Sequence, residues 1–173
     1  MIARIALLAL LFMSMLYDLR EREVPMLLTI TGLVGSGLYA ILNGLWAPAL
    51  LTAVLTLVSD FNHRAIRLAI AMISSVVASF VQPGGVLICA TLLGVWVLWE
   101  FGILGGADVK FLIAAVFVLG NPAVLIPISL AGGIQGVIAS VQKKKEIPFV
   151  VSIFCGTLLF ALYPYLSCFL GKV

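Results

Sequence analysis

Long apolar runs alternate with short polar breaks along the whole chain. Ile2 to Tyr17 is the first run, with Arg4 as its one basic residue. The charged stretch Asp18-Leu19-Arg20-Glu21-Arg22-Glu23-Val24-Pro25 ends it. Met26 to about Asn43 is the second run, and Pro25 suits the first turn of its helix, where no backbone donor is needed. Asn43-Gly44 and Pro48 predict a turn. Two shorter runs follow, Ala47 to Ser59 and Ala65 to Val81, separated by Asp60-Phe61-Asn62-His63-Arg64. After the turn signal Gln82-Pro83-Gly84-Gly85 comes Val86 to Leu104, a full-length run that contains Glu100. Gly105 to Ala107 predict a helix break, and Asp108 opens a short helix over Val109 to Leu119 that stops at Gly120-Asn121-Pro122. Ala123 to Val141 is apolar again, Lys143-Lys144-Lys145-Glu146 is a charged loop, and Pro148 starts the last run, to about Leu170.

The runs are continuous and lack the in-out alternation of a membrane barrel, so they predict helices. Composition says what surrounds them. Hydrophobic residues make up 64% of the chain and charged residues 10%, whereas a soluble domain carries about 25% charged residues to solvate its surface. The expected fold is all-α: one polytopic transmembrane helical bundle over residues 1–173. Because a spanning helix needs roughly 20 apolar residues, the runs give about eight crossings, six plus a short inserted hairpin between Asn43 and Pro83. That hairpin could equally be one bent or re-entrant element. The first run is expected to be a retained helix, since it lacks the small-x-small site of a cleaved signal peptide.

The net charge of +3 is small, and its location argues for topology rather than nucleic-acid binding. With the Asp18 to Pro25 loop in the cytoplasm, Asp60 to Arg67, Gly105 to Lys110 and Gln142 to Ile147 fall on the same side. Every Lys and Arg except Arg4 and Lys172 is then cytoplasmic, as the positive-inside rule requires. Cys89, Cys155 and Cys168 sit in apolar runs without a C-x-x-C pair, so neither a zinc site nor a disulfide framework is indicated, and no cofactor is expected.

This sidedness creates a constellation. Asp18 and Asp108 both stand where an apolar helix meets a cytoplasmic loop. Ionisable groups at membrane depth mark functional sites. Two carboxyls at one depth are the minimal equipment of an aspartic protease: one draws a proton from water, and the other, protonated, donates to the peptide carbonyl. Two close carboxylates in a low dielectric share a proton. Gly105 and Gly106 let a backbone approach the aspartate closely.

The strings Asp18-Leu19-Arg20-x-Arg22-x-Val24-Pro25, Gly105-Gly106-Ala107-Asp108-Val109-Lys110 and Lys145-x-Ile147-Pro148-Phe149, in this order and on one side, resemble the type IV prepilin peptidase and archaeal preflagellin peptidase family of integral-membrane aspartic peptidases. The resemblance implies that Asp18 and Asp108 are the catalytic pair. It also implies that the substrate is a prepilin-like precursor with a basic leader ahead of a hydrophobic helix, cut at the cytoplasmic face of the cell membrane. Met26 follows Pro25 where the family often has Asn, and the Asp18–Asp108 interval is about one helical hairpin longer than the family leads one to expect. The cysteine-rich zinc-binding insert of many bacterial members is absent, so their methyltransferase activity is not expected. Tyr17-Asp18 and Gly105-x-Ala107-Asp108 also echo presenilin and signal peptide peptidase, but the late Pro-Ala-Leu element of those proteases is missing.

The remaining polar residues divide. Glu21 and Glu23 could attract a basic leader. Glu100 either supports the site or pairs with a nearby Arg or Lys. Lys110 does not share a helix face with Asp108; it anchors at headgroup phosphates or pairs with an acid such as Glu100. Ala107 belongs to the supporting motif. Asp60 reads as a solvated loop residue, His63 carries no assigned role, and Lys143 to Lys145 read as a topology anchor near anionic lipid. The competing classes are a small proton- or cation-coupled transporter subunit, with Asp18, Asp108 and Glu100 lining an ion path, and a non-catalytic membrane scaffold.

Overall fold

A computed structural model describes residues 1–142 and 148–170, the side chains of 165–170 excepted. The described residues are helical throughout, with no strand. The helices are α1 (Ile2–Glu21), α2 (Met26–Leu42), α3 (Trp46–Val58), α4 (Arg64–Val81), α5 (Val86–Glu100), α6 (Gly106–Leu119), α7 (Leu125–Val141) and α8 (Phe149–Leu170). Single 3₁₀ turns, Pro83–Gly85 and Pro122–Val124, lead into α5 and α7. Among the described residues, four segments are long and apolar enough to cross a membrane: Ile2–Glu21, Arg64–Val81, Pro83–Glu100 and Pro122–Val141. Lys143 to Ile147, with the charged loop and the first part of the third motif, lie outside the described residues.

Several boundaries differ from the apolar pattern, each for a local reason. α1 runs past Tyr17 to Glu21, which puts Asp18 inside the helix. Pro25 is the N-cap of α2, not its first turn. Pro48 is the third residue of α3, where its missing donor is one the helix leaves unpaired anyway. α5 stops at Glu100, not Leu104, because Gly102 turns left-handed (φ 72°) and the amides of Ile103 and Leu104 fold back onto the Leu98 carbonyl. α6 starts at Gly106, so Gly106 and Ala107 belong to its first turn instead of breaking a helix. The two short runs are separate helices packed on each other, not one bent element.

α6 is the hub. It touches α1, α2, α5 and α8, and Phe111 to Val118 are buried without interruption. A helix that is apolar all round belongs in the interior. α2 meets it through the small residues Thr29, Gly32, Ser36 and Ala40, all buried on one face. Small side chains let helix backbones approach where no water drives them together. The buried hydroxyls of Ser14, Thr29 and Ser36 donate to carbonyls of their own helices, which satisfies them without a cross-helix partner. α7 and α8 approach each other closely. A Cβ on Gly156 would stand 2.5 Å from the backbone of Ile128. Outward faces are strongly apolar, with Leu42, Phe80 and Val141 about 80% exposed. A soluble monomer does not expose contiguous apolar surface of this kind.

Polar contacts mark the two ends of the bundle. At one end the Gln82 amide bridges the Gly44 carbonyl and the Ala47 amide. At the other, arginines at the start of α4 meet the ends of α3 and α5. Trp96 donates to the Leu55 carbonyl at 3.1 Å, tying α5 to α3 between them.

Candidate active site

Asp18 lies in the last turn of α1, one turn before the left-handed Arg22 (φ 59°), whose amide caps the helix on the Asp18 carbonyl. Its carboxylate accepts the backbone N–H of Val150, the second residue of α8. The first four amides of a helix lack intrahelical acceptors, so Asp18 closes the start of α8 from outside. Its Oδ2 is buried and has no hydrogen-bond partner among the described residues. The charge of Arg22 also acts on it.

Asp108 is the third residue of α6 and turns back toward the N-cap, accepting from the Gly105 backbone. This is the reverse arm of a capping box. It also explains Gly105. That residue has an ordinary extended backbone (φ −71°, ψ 150°), but a Cβ there would come within 2.9 Å of Asp108 Oδ2. The close approach that the glycine permits is therefore to Asp108 itself. Gly106 is less constrained, with only Trp99 Nε1 at 3.6 Å from a would-be Cβ.

The fold brings the two aspartates together. The Asp18 carboxylate acts electrostatically on Asp108, although they come from distant parts of the chain. Each is held by one helix N-terminus, and both are only partly buried. Two carboxylates whose charges oppose each other cannot easily both ionise in a low dielectric.

Glu100 is not part of this pair. Its carboxylate is 6% exposed and meets Arg67 at 2.5 Å and Arg64 at 3.7 Å. Arg64 also donates to the Glu100 carbonyl at 3.2 Å and lies 4.1 Å over the Phe101 ring. Arg67 donates to the carbonyls of Ser59 and Phe61. The pairing with a nearby cation expected for Glu100 is present. Lys110 therefore does not pair with it; it lines cavities between α2, α3 and α6. Ala107 sits in the first turn of α6, Glu21 and Glu23 are exposed beyond Asp18, and Asp60 and His63 are exposed in the α3–α4 connection. Among the described residues, no three His, Cys, Asp or Glu side chains converge as a metal site would require.

Sequence reasoning missed Val150. Its contribution is a backbone amide, which no side-chain pattern announces. It also left Arg64 and Arg67 unassigned as a pair, although three-residue spacing puts them on one helix face. No protein-family model matches the chain, and neither the curated proteins nor the solved structures hold a match to it.

Proposed function

We propose that the chain is a membrane aspartic endopeptidase. It removes the short basic leader of prepilin-like or preflagellin-like precursors at the cytoplasmic face of the cell membrane. The observation that carries this reading is the Asp18–Asp108 pair: two carboxyls from distant helices, the charge of Asp18 acting on Asp108, and one Asp18 oxygen buried without a partner among the described residues. One carboxylate takes a proton from water as the oxygen attacks the scissile carbonyl. The other donates its proton to the carbonyl oxygen, and the reversed transfers release the amine. The chemistry needs no metal or organic cofactor.

In this reading the helices make about eight crossings. The loops at 22–25, 59–63 and 101–105 face the cytoplasm, and Glu21 and Glu23 face the basic leader of the arriving precursor. The proposal is tested by incubating the purified full chain in nanodiscs with a leader-bearing precursor and looking for the shortened product. Product formation that is lost in both Asp18→Asn and Asp108→Asn supports it. An intact precursor with folded wild-type protein overturns it. A proton- or cation-coupled transporter built on Asp18, Asp108 and Glu100 gives no product in that assay. In that reading Glu100 would act from its ion pairs with Arg64 and Arg67.

A further inference from the structure

We propose that the groove between α2, α3 and α6 holds one anionic phospholipid, its phosphate on the Lys110 ammonium and an acyl chain along the two shorter helices. The site stands apart from the proposed cleavage chemistry. The groove encloses about 530 Å³. It is lined along α2 from Met26 to Ile41 and along α3 from Thr56 back to Ala49. The α2 wall is therefore about 22 Å long at about 1.5 Å per residue. One leaflet is about half of a hydrocarbon core roughly 30 Å thick, so a whole acyl chain fits.

The chemistry of the wall is equally one-sided. Apart from Lys110, its polar side chains are Thr52 and Thr56, and both donate to carbonyls of α3, those of Pro48 and Thr52. Lys110 is the one charged group. It stands in the second turn of α6, at the Met26 and Thr56 end of the groove, and also faces a smaller cavity of about 110 Å³ beside Trp99 and Gly106. The ion pairs among the described residues are both made by Glu100, so no acid among the described residues pairs with this ammonium. A lysine so placed lays its stem along apolar surface and leaves its head seeking oxygen. A phosphodiester with attached acyl chains answers both halves of the site, where free phosphate would answer only the head. Val34 and Leu38 on the wall remain more than half exposed. The groove thus opens sideways to whatever surrounds the bundle, which for an apolar exterior of this kind is lipid.

The test is competition between lipids. The full chain is placed in nanodiscs of equal phosphatidylglycerol and phosphatidylcholine, extracted gently, and weighed by native mass spectrometry. Wild type is expected to retain the anionic lipid about fivefold over the zwitterionic one, as expected for one lysine near an anionic headgroup. Lys110→Gln should fall to parity, while Lys110→Arg and Arg4→Gln, the latter at the other end of the chain's first helix, should keep the preference. Equal retention by wild type overturns the proposal without reference to any variant, and so does an undiminished preference in Lys110→Gln. A photo-crosslinking side chain in place of Leu38 should label lipid. Labelling of an added precursor helix instead would assign the groove to substrate and overturn the lipid reading.

Discussion

Glu100 and the Asp18–Asp108 pair lie on either side of the short 101–105 connection, and they are built in opposite ways. Glu100 is deeply buried, and its charge is answered by two guanidiniums that also hold the carbonyl ends of α3 and α5. Asp18 and Asp108 are more open. Each accepts one backbone amide, Asp108 feels the charge of Asp18 while Asp18 feels that of Arg22, and one oxygen of Asp18 has no partner among the described residues. A carboxylate with its charge neutralised holds helices together. A pair of carboxylates with unspent acceptors and a shared charge is set up to move a proton. The difference is what the proposed function rests on, and it is drawn without appeal to sequence position.

That contrast can be broken most sharply at the pair. Asp18→Asn and Asp108→Asn should each lower leader cleavage by about 10³-fold or more, the scale of a lost general acid or base. Each should leave thermal unfolding in detergent nearly unchanged, since an Asn oxygen still accepts an amide at a helix start. A large loss of stability in both variants would make them capping residues and nothing more. Arg67→Ala should behave in the opposite way. Stripping the main partner from buried Glu100 costs about 3–5 kcal/mol, read as a lowered unfolding temperature, and Glu100→Gln in the same chain should recover much of it.

Gly105→Ala sharpens the comparison within the site. Its Cβ would displace Asp108 Oδ2 from 2.9 Å, and a misplacement of about 1 Å lowers rates about 10²-fold. Gly106→Ala, with Trp99 at 3.6 Å, should keep nearly full cleavage. The smallest effect is expected from Glu21→Gln combined with Glu23→Gln. These exposed acids should change processing of basic-leader precursors several-fold, because screened surface charges contribute about 1 kcal/mol or less each. Neutral-leader precursors should be cut at the unaltered rate, and an equal loss for both classes would remove the leader-recognition role.

The legible part of this protein is the part written in runs and punctuation. Apolar runs broken by Asn43-Gly44, Gln82-Pro83 and Gly120-Asn121-Pro122 mark the helices, because a backbone surrounded by lipid must satisfy its own hydrogen bonds. Asp18 and Asp108 stand out for the same reason, as charges that apolar flanks do not explain. Boundaries near polar residues were less legible. Leu104 lies outside α5 because Gly102 turns left-handed, and Glu21 lies inside α1 because Arg22 supplies the cap. Pattern alone weighs neither effect.

The sequence by itself determined an all-helical, lipid-compatible chain and the two acids that interrupt it, since both follow from local chemistry: hydrophobicity, helix propensity and the cost of burying charge. Tertiary structure decided which charges meet. It gave Glu100 to Arg64 and Arg67 instead of Lys110, set Asp18 against the start of α8 through a backbone amide, and folded Asp108 over Gly105. Those choices depend on which helix faces pack around α6. Packing is a property of the whole bundle, so no single stretch of sequence states it.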